Sequence, residues 1–162
     1  CDVADVVAPV DSVMFCLSKG LSAPVGSMVA GTGEFIEKAW LARKTFGGGM
    51  RQAGVLAAAG LVALETMSAR LADDHANART LATALAGLPG IVLDPESVQT
   101  NIVIFELEEG VRDAPSLVAA IRDEGILAIA FGARKIRLVT HNDVSRADCL
   151  AAASAIEEAL VG

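Results

Sequence analysis

The sequence predicts a mixed α/β fold, and two observations support this prediction. Short apolar runs rich in β-branched and aromatic residues, typical of strands, alternate with longer segments rich in Ala, Leu, Glu and Arg, typical of helices. Of the 162 residues, 53% are hydrophobic and 20% are charged, which is the balance of a globular protein rather than of a disordered chain. A chain of this length can also bury a sizeable core.

The first body of the fold is predicted in residues 1–50. The apolar run at residues 12–18, "SVMFCLS", is typical of a short buried strand, and residues 26–31, "GSMVAG", predict a second strand. Residues 33–46 place apolar side chains at three-and-four spacing, which predicts a helix that ends at the triple glycine. Two strands and one helix would leave a parallel sheet with open edges, so we expect further elements to complete it.

A long helix and a second body follow. Helix-forming composition continues almost unbroken from residue 50 to residue 86, so residues 51–87 are predicted to connect the two bodies. Residues 88–162 contain enough elements for a small domain that packs three or four strands against two helices. Its predicted strands are residues 91–93, 100–107, 126–131 and 135–141, and its predicted helices are residues 116–124 and a final helix. Ser145 and Asp148 would start that final helix as a capping box.

Composition argues against several classes of function. The net charge of −7, without clustered Lys and Arg, disfavours a nucleic-acid partner. The cysteines Cys1, Cys16 and Cys149 form an odd set without close pairing, so neither a disulfide framework nor a metal site is predicted. The longest apolar stretch, residues 53–64, is shorter than the roughly 20 residues that span a bilayer, and no secretion signal is recognised. We therefore expect a cytoplasmic protein without a membrane partner.

Lys19 is the first candidate for chemistry, because it follows the first predicted strand and is flanked by Phe15, Leu17 and Leu21. Ligands of α/β proteins bind in the crevice where strands end. Partial desolvation at such a place would make an amine a nucleophile toward a carbonyl carbon. The alternative is an ordinary turn lysine whose aliphatic stem covers apolar surface.

The second candidate is the segment from Lys44 to Arg51, which contains the triple glycine at residues 47–49. Glycines allow backbone N–H groups to approach an anion closely, and Arg51 adds a two-pronged donor suited to a phosphate. The alternative is a flexible connection between two helices.

Arg137 is the third candidate. In a strand over residues 135–141, Ile136 and Leu138 would share one face while Arg137 and Val139 share the other. A guanidinium held on that face suits the carboxylate of an amino acid, which it can bind through two parallel hydrogen bonds. The alternative is a solvated strand face.

The two histidines are weaker candidates. His75 is expected to be exposed on the long helix, and His141 is expected to support a turn rather than act as a base. They are far apart in sequence and have no metal-binding set around them. Residues 31–35, "GTGEF", begin like a dinucleotide-binding loop but lack its third glycine.

The segments around these candidates resemble the low-specificity L-threonine aldolases, which belong to the aspartate-aminotransferase-like fold of pyridoxal-phosphate enzymes. The resemblance extends from about Asp11 to Leu64, through "SVMFCLSKGLSAPVGSMVAG" and "ARKTFGGGMRQAGVLAAAGLVAL", and resumes at "IRLVTH". Ser22 departs from it, since the family usually has glycine at this place in the lysine turn. The resemblance implies the end of a large-domain sheet, a long connecting helix and a small α+β C-terminal domain.

The resemblance also implies a role for each candidate. Lys19 matches the lysine that holds pyridoxal 5′-phosphate covalently, Lys44 and Arg51 match basic residues near its phosphate, and Arg137 matches the contact to the substrate carboxylate. The implied reaction cleaves L-threonine or L-allo-threonine, a β-hydroxy amino acid, to glycine and acetaldehyde. The implied assembly is a homodimer or homotetramer with its site at the subunit interface.

The resemblance covers most of this sequence but only about the C-terminal half of a family member. It implies that an aspartate for the pyridine nitrogen, a histidine that stacks on the ring, a second arginine and a phosphate loop lie outside this chain. We therefore expect a fragment of a complete aldehyde-lyase, and we expect the 162 residues to be inactive alone. The alternative is a catalytically inactive remnant that acts as a structural or interaction module.

Overall fold

The described residues form two structural units, residues 2–69 and residues 70–161. The computed structural model describes residues 2–161, so Cys1 and Gly162, the outermost residues of the two predicted bodies, lie outside the described residues. Each unit contains helices and one small antiparallel sheet. The mixed α/β class predicted from the sequence is therefore confirmed.

The first unit contains a two-stranded ribbon and helices. Its elements in chain order are α1 (Val3–Val7), β1 (Ser12–Cys16), β2 (Ser27–Gly31), α2 (Gly33–Thr45) and α3 (Gly54–Val62). Thr32 caps α2, because its hydroxyl accepts a hydrogen bond from the Phe35 N–H at 3.3 Å. Both predicted strands and the predicted helix after them are present.

The ribbon is antiparallel, whereas a parallel sheet was expected from the sequence. Ser12 lies opposite Gly31, and Cys16 lies opposite Ser27. Residues 17–26 connect the two strands, and a parallel crossover needs a dozen or more residues. The short connection therefore permits only the antiparallel arrangement.

The expectation that β1 is a buried strand is wrong for this chain. Met14 is 61% exposed and Phe15 is 38% exposed. A two-stranded ribbon has too few neighbours to bury either of its faces, so apolar composition identified the strand without implying its burial.

The predicted long helix is present and runs from Gly54 to Ala86. It contains α3, a π-helical segment (Ala63–Met67) and α4 (Ser68–Ala86). By length and composition alone it could cross a membrane, a test that core helices of soluble proteins also pass. Along α4, Ala78, Leu81 and Leu85 are buried in the hydrophobic core, so this part is a core helix.

The second unit contains a four-stranded antiparallel sheet, in which the strands lie in the order Ile91–Val92 (β3), Ile102–Leu107 (β4), Lys135–Val139 (β6) and Ile129–Ala130 (β5). Besides most of α4, its elements are β3 (Ile91–Val92), a 3₁₀ turn (Pro95–Ser97), β4 (Ile102–Leu107), α5 (Ala114–Asp123), β5 (Ile129–Ala130), β6 (Lys135–Val139) and α6 (Arg146–Val161). Within this unit, residues 88–161 contain four strands and two α-helices, as the sequence predicted, while the predicted domain bounds stay a prediction.

Alternation along the strands separates a buried face of this sheet from an outer one. On β4, Val103 and Phe105 are buried, and on β6, Ile136 and Leu138 are buried on one shared face, which is the alternation that the sequence predicted for β6. The helices supply the other side of the same core, with buried residues Leu81, Leu85, Leu117, Ile121 and Ile156. The residues between the buried ones, including Arg137, lie on the outer face.

The predicted capping box begins α6. The backbone N–H and the hydroxyl of Ser145 donate to Asp148 Oδ2 at 2.8 and 2.7 Å, and the Asp148 N–H donates to Ser145 Oγ at 3.2 Å. The bonds from the Ser145 hydroxyl and N–H hold the pKa of the Asp148 carboxyl below its ordinary value. Their contribution to stability is therefore present at neutral pH and is lost as the pH falls through the lowered pKa.

Candidate functional site

Lys19 lies in the connection between β1 and β2, just past the end of β1 as predicted. Backbone hydrogen bonds order this connection: the Leu17 N–H donates to the Gly26 carbonyl at 2.9 Å, and the Ala23 N–H donates to the Leu17 carbonyl at 3.0 Å. Leu17 and Ala23 are buried, as is Leu21. The apolar neighbours of Lys19 therefore anchor an ordered turn that presents its amine.

The expected partial desolvation of Lys19 is not found in this chain, where the residue is exposed. The Ser22 N–H donates to the Lys19 carbonyl at 2.8 Å, so Lys19 begins a tight turn. The role of Lys19 as the cofactor-binding amine stays a prediction.

Two residues other than glycine have left-handed backbone angles among residues 2–161. Ser22, in the turn of Lys19, has a φ of 56°, and Gln52, adjacent to Arg51, has a φ of 52°. A side chain in this region costs on the order of 1 kcal/mol, and such strain concentrates at functional sites. The two strained positions, Ser22 and Gln52, are thus consistent with functional roles for the neighbouring Lys19 and Arg51.

Ser22→Gly is expected to stabilise the chain by up to about 1 kcal/mol, because glycine removes the strain of the left-handed Cβ while adding some freedom to the unfolded state. Urea unfolding would measure the change. Ser27→Gly, in the extended strand β2, is the matched control and should instead be destabilising. Equal losses of stability in both variants would contradict the prediction.

Lys44 and Arg51, predicted to serve one anion, line the same cavity of about 410 Å³. The other lining residues are Trp40, Arg43, Gly47, Gly49 and Met50. The Lys44 ammonium also lies over the Trp40 ring, 5.7 Å from its centroid. Among the described residues the lining thus combines three cations with glycine backbone and no acid, which is a donor set suited to a phosphate.

Arg43, which the sequence patterns did not single out, lines this cavity together with Lys44 and Arg51. The sequence feature that could have indicated Arg43 is its position in the last turn of α2, shortly before the triple glycine. Arginine at such a position can bond to backbone carbonyls at the end of a helix.

Arg137 lies on the outer face of β6, where Ile104 of β4 and Ile129 of β5 are its cross-strand partners. The residue is half-buried. Its Nε is fully buried and has no hydrogen-bond partner among the described residues. Because a buried donor without an acceptor is costly, this nitrogen fits a carboxylate supplied by a ligand.

The histidines agree with the expectations from the sequence. His75 is exposed, and His141 Nδ1 accepts a hydrogen bond from the Asp143 N–H at 3.3 Å, which supports the turn before α6. Within residues 2–161, no group of three or more His, Cys, Asp and Glu side chains is arranged to hold a metal ion.

The candidates are divided between the two units. Lys19, Lys44 and Arg51 belong to the first unit, and Arg137 belongs to the second. Within the first unit, Lys44 and Arg51 share a cavity whose lining does not include Lys19. The cavity therefore brings together the two phosphate candidates without Lys19.

Comparison with known proteins places these features in a family. The family model of the beta-eliminating lyases matches residues 1–108. The chain is 42% identical over 160 residues to low-specificity L-threonine aldolase 1 of Arabidopsis thaliana, covering 98% of the chain and 45% of the relative. It is 40% identical over 146 residues to the low specificity L-threonine aldolase of Escherichia coli K12, covering 90% of the chain and 42% of the relative. The chain thus spans less than half the length of these two relatives.

A solved structure has the same fold. A candidate L-allo-threonine aldolase from Listeria monocytogenes matches 96% of this chain and 46% of its own, with a TM-score of 0.76 at 19% identity. At that identity the match shows the fold alone, which is the fold of pyridoxal-phosphate enzymes implied by the sequence. The beta-eliminating lyases depend on pyridoxal phosphate. The chain therefore belongs to the beta-eliminating lyase family, and its resemblance to the low-specificity L-threonine aldolases is confirmed.

Proposed function

We propose that this chain is part of a pyridoxal-phosphate-dependent aldehyde-lyase that cleaves L-threonine and L-allo-threonine to glycine and acetaldehyde. The observation that carries the proposal is the 42% identity to a low-specificity L-threonine aldolase across 98% of this chain. Lys19, Lys44, Arg51 and Arg137 supply residues of the types that such a reaction needs.

Lys19 is proposed to attach the cofactor, because a primary amine is the group that condenses with an aldehyde. The buried side chains of Leu17, Leu21 and Ala23 fix the backbone of its turn, and the amine itself is exposed in this chain. When bound, pyridoxal phosphate supplies a sink for the electron pair left as the Cα–Cβ bond of the substrate breaks.

Lys44 and Arg51 are proposed to bind the cofactor phosphate. The fit rests on the cavity that they share, where Gly47 and Gly49 let an anion approach the backbone. Lys19 is not among the residues that line this cavity. We therefore propose that the cavity binds the phosphate of a cofactor that is attached to Lys19 of a neighbouring copy. This arrangement requires a homodimer or a homotetramer with the site at the subunit interface.

Arg137 is proposed to bind the substrate carboxylate. The buried Nε–H has no partner among the described residues, and a carboxylate can accept from it and from a terminal nitrogen in two parallel bonds. The cross-strand neighbours Ile104 and Ile129 place apolar side chains on either side of the guanidinium. In the overall reaction, the β-hydroxyl proton leaves, Cβ becomes the carbonyl carbon of acetaldehyde, and Cα gains a proton to give glycine.

Arg137→Lys in the complete protein is expected to raise KM for L-threonine roughly tenfold, with a smaller change in kcat, because a point charge replaces a two-pronged donor. Steady-state assays of acetaldehyde and glycine would measure both constants and would show equal amounts of the two products. Arg122→Lys, the same change at an exposed position of α5, is the matched control and should leave KM unchanged. An unchanged KM in Arg137→Lys would contradict the carboxylate role, and a wild-type protein that cleaves neither isomer would contradict the proposed function.

A further inference from the structure

We infer that Arg43 is a positioning residue, which fixes the glycine loop that joins Lys44 to Arg51. The inference rests on the proposed binding of a phosphate by Lys44 and Arg51. It concerns how the backbone between those two cations is held in shape.

The loop begins where α2 ends in a Schellman motif. Gly47 takes the left-handed conformation, with a φ of 80°. The Gly48 N–H donates to the Arg43 carbonyl at 2.8 Å, and the Gly47 N–H donates to the Lys44 carbonyl at 3.2 Å. These bonds satisfy two carbonyls that the end of the helix would leave without partners.

Arg43 bonds to Gly48 a second time through its side chain. The Arg43 Nε–H donates to the Gly48 carbonyl at 2.8 Å. Both backbone polar groups of Gly48 are therefore held by Arg43, one by its backbone and one by its guanidinium. This double attachment sets the direction in which Gly49, Met50 and Arg51 leave the helix and return to the cavity.

A side chain on Gly48 would press against Arg43. A Cβ on Gly48 would lie 3.1 Å from Arg43 Cγ and 3.1 Å from the Arg43 carbonyl oxygen, closer than ordinary contacts. Gly48 itself is not among the residues that line the cavity. A substitution at Gly48 would therefore affect a bound anion through the path of the loop.

The guanidinium of Arg43 can bond to the Gly48 carbonyl and line the cavity at the same time. Nε carries one of its five N–H donors, and the two terminal nitrogens carry the other four. Lysine at the same position would keep the positive charge but would lack the Nε donor, which separates the positioning role from a purely electrostatic one.

The test is a titration of the ¹⁵N-labelled complete protein with inorganic phosphate, followed through the amide signals of Gly47 and Gly49. Arg43→Lys and Gly48→Ala are each expected to weaken phosphate binding roughly tenfold, and the double variant is expected to bind no more weakly than either single one. Two controls should bind phosphate as the wild type does: Lys38→Gln, which removes a cation of α2 outside the cavity, and Gly33→Ala, which adds a Cβ into open space on the same helix.

Arg51→Gln separates this inference from the proposed phosphate site. If Arg51→Gln weakens binding while Arg43→Lys or Gly48→Ala does not, the positioning role is overturned and the phosphate site stands. If Arg51→Gln also leaves binding unchanged, both are overturned. Should Gly48→Ala fail to fold, Arg43→Lys and Arg43→Gln decide the question. Equal losses of phosphate affinity in these two variants support the positioning role. A loss of affinity in Arg43→Gln alone overturns it.

Discussion

Replacing Lys19 by alanine in the complete protein is expected to lower kcat for threonine cleavage by at least about a thousandfold, because the substitution removes the only proposed nucleophile for the cofactor aldehyde. The phosphate contacts of Lys44 and Arg51 would remain, so the variant should still bind the cofactor without the covalent link. Lys19→Arg should be equally inactive, since a guanidinium keeps its proton and cannot act as the nucleophile. Equal losses would therefore show that chemistry, rather than charge, is required.

The measurement is a steady-state assay of acetaldehyde release with saturating cofactor and L-threonine. Lys38→Ala is the matched control, because Lys38 is an exposed lysine of the same unit that pairs with Glu34 at 2.6 Å and lies outside the proposed site. It should keep the wild-type rate. A Lys19→Ala variant with more than a tenth of the wild-type rate would contradict the proposed role.

Arg70→Ala is expected to destabilise the second unit by roughly 3–5 kcal/mol, because it leaves a buried carboxylate without its partner. The guanidinium of Arg70 donates to both oxygens of Asp74, at 2.8 and 3.3 Å, and the Asp74 side chain is fully buried. The Asp74 carbonyl also accepts a bond from the Thr140 hydroxyl at 2.6 Å. Thr140 directly follows β6, so the hydrogen bond from Thr140 to Asp74 fixes α4 against the end of the strand that carries Arg137.

Urea unfolding followed by circular dichroism would measure this loss. The pair between Lys38 and Glu34 has the same spacing on a helix, but its side chains are 75% and 78% exposed. Lys38→Ala should therefore cost less than about 0.5 kcal/mol. The double variant Arg70→Ala, Asp74→Ala should be more stable than Arg70→Ala alone, because it also removes the buried carboxylate that has lost its partner. Similar losses for Arg70→Ala and Lys38→Ala would contradict the account.

Local sequence patterns predicted the elements of this chain well. The run from Lys135 to Val139 alternates as a half-buried strand must, so the outward position of Arg137 follows from the order of its neighbours in the sequence. The capping box of Ser145 and Asp148 is likewise a local pattern, set by bonds across one helical turn.

Features that depend on long-range packing were predicted less well. Apolar composition predicted burial for β1, but burial depends on how many strands and helices surround the ribbon. Lys19 is exposed for the same reason. The direction of the ribbon could have been predicted from the length of the connection alone.

Arg43 shows a different limit. Its position in the sequence is ordinary for a charged residue near the end of a helix, and what distinguishes it is the bond of its guanidinium to the Gly48 carbonyl, which depends on the backbone path after α2. The burial of Asp74, by contrast, could have been predicted, because Asp74 is in helical register with the buried residues Ala78, Leu81 and Leu85.

The central claim is that Lys19 carries the cofactor. Borohydride reduction of the complete protein in the presence of pyridoxal phosphate, followed by peptide mass spectrometry, tests it most directly because reduction makes the link to the lysine permanent. We expect one labelled peptide with the label on Lys19, and no such label in Lys19→Ala. A label on another lysine, or no label in the wild-type protein, would contradict the claim.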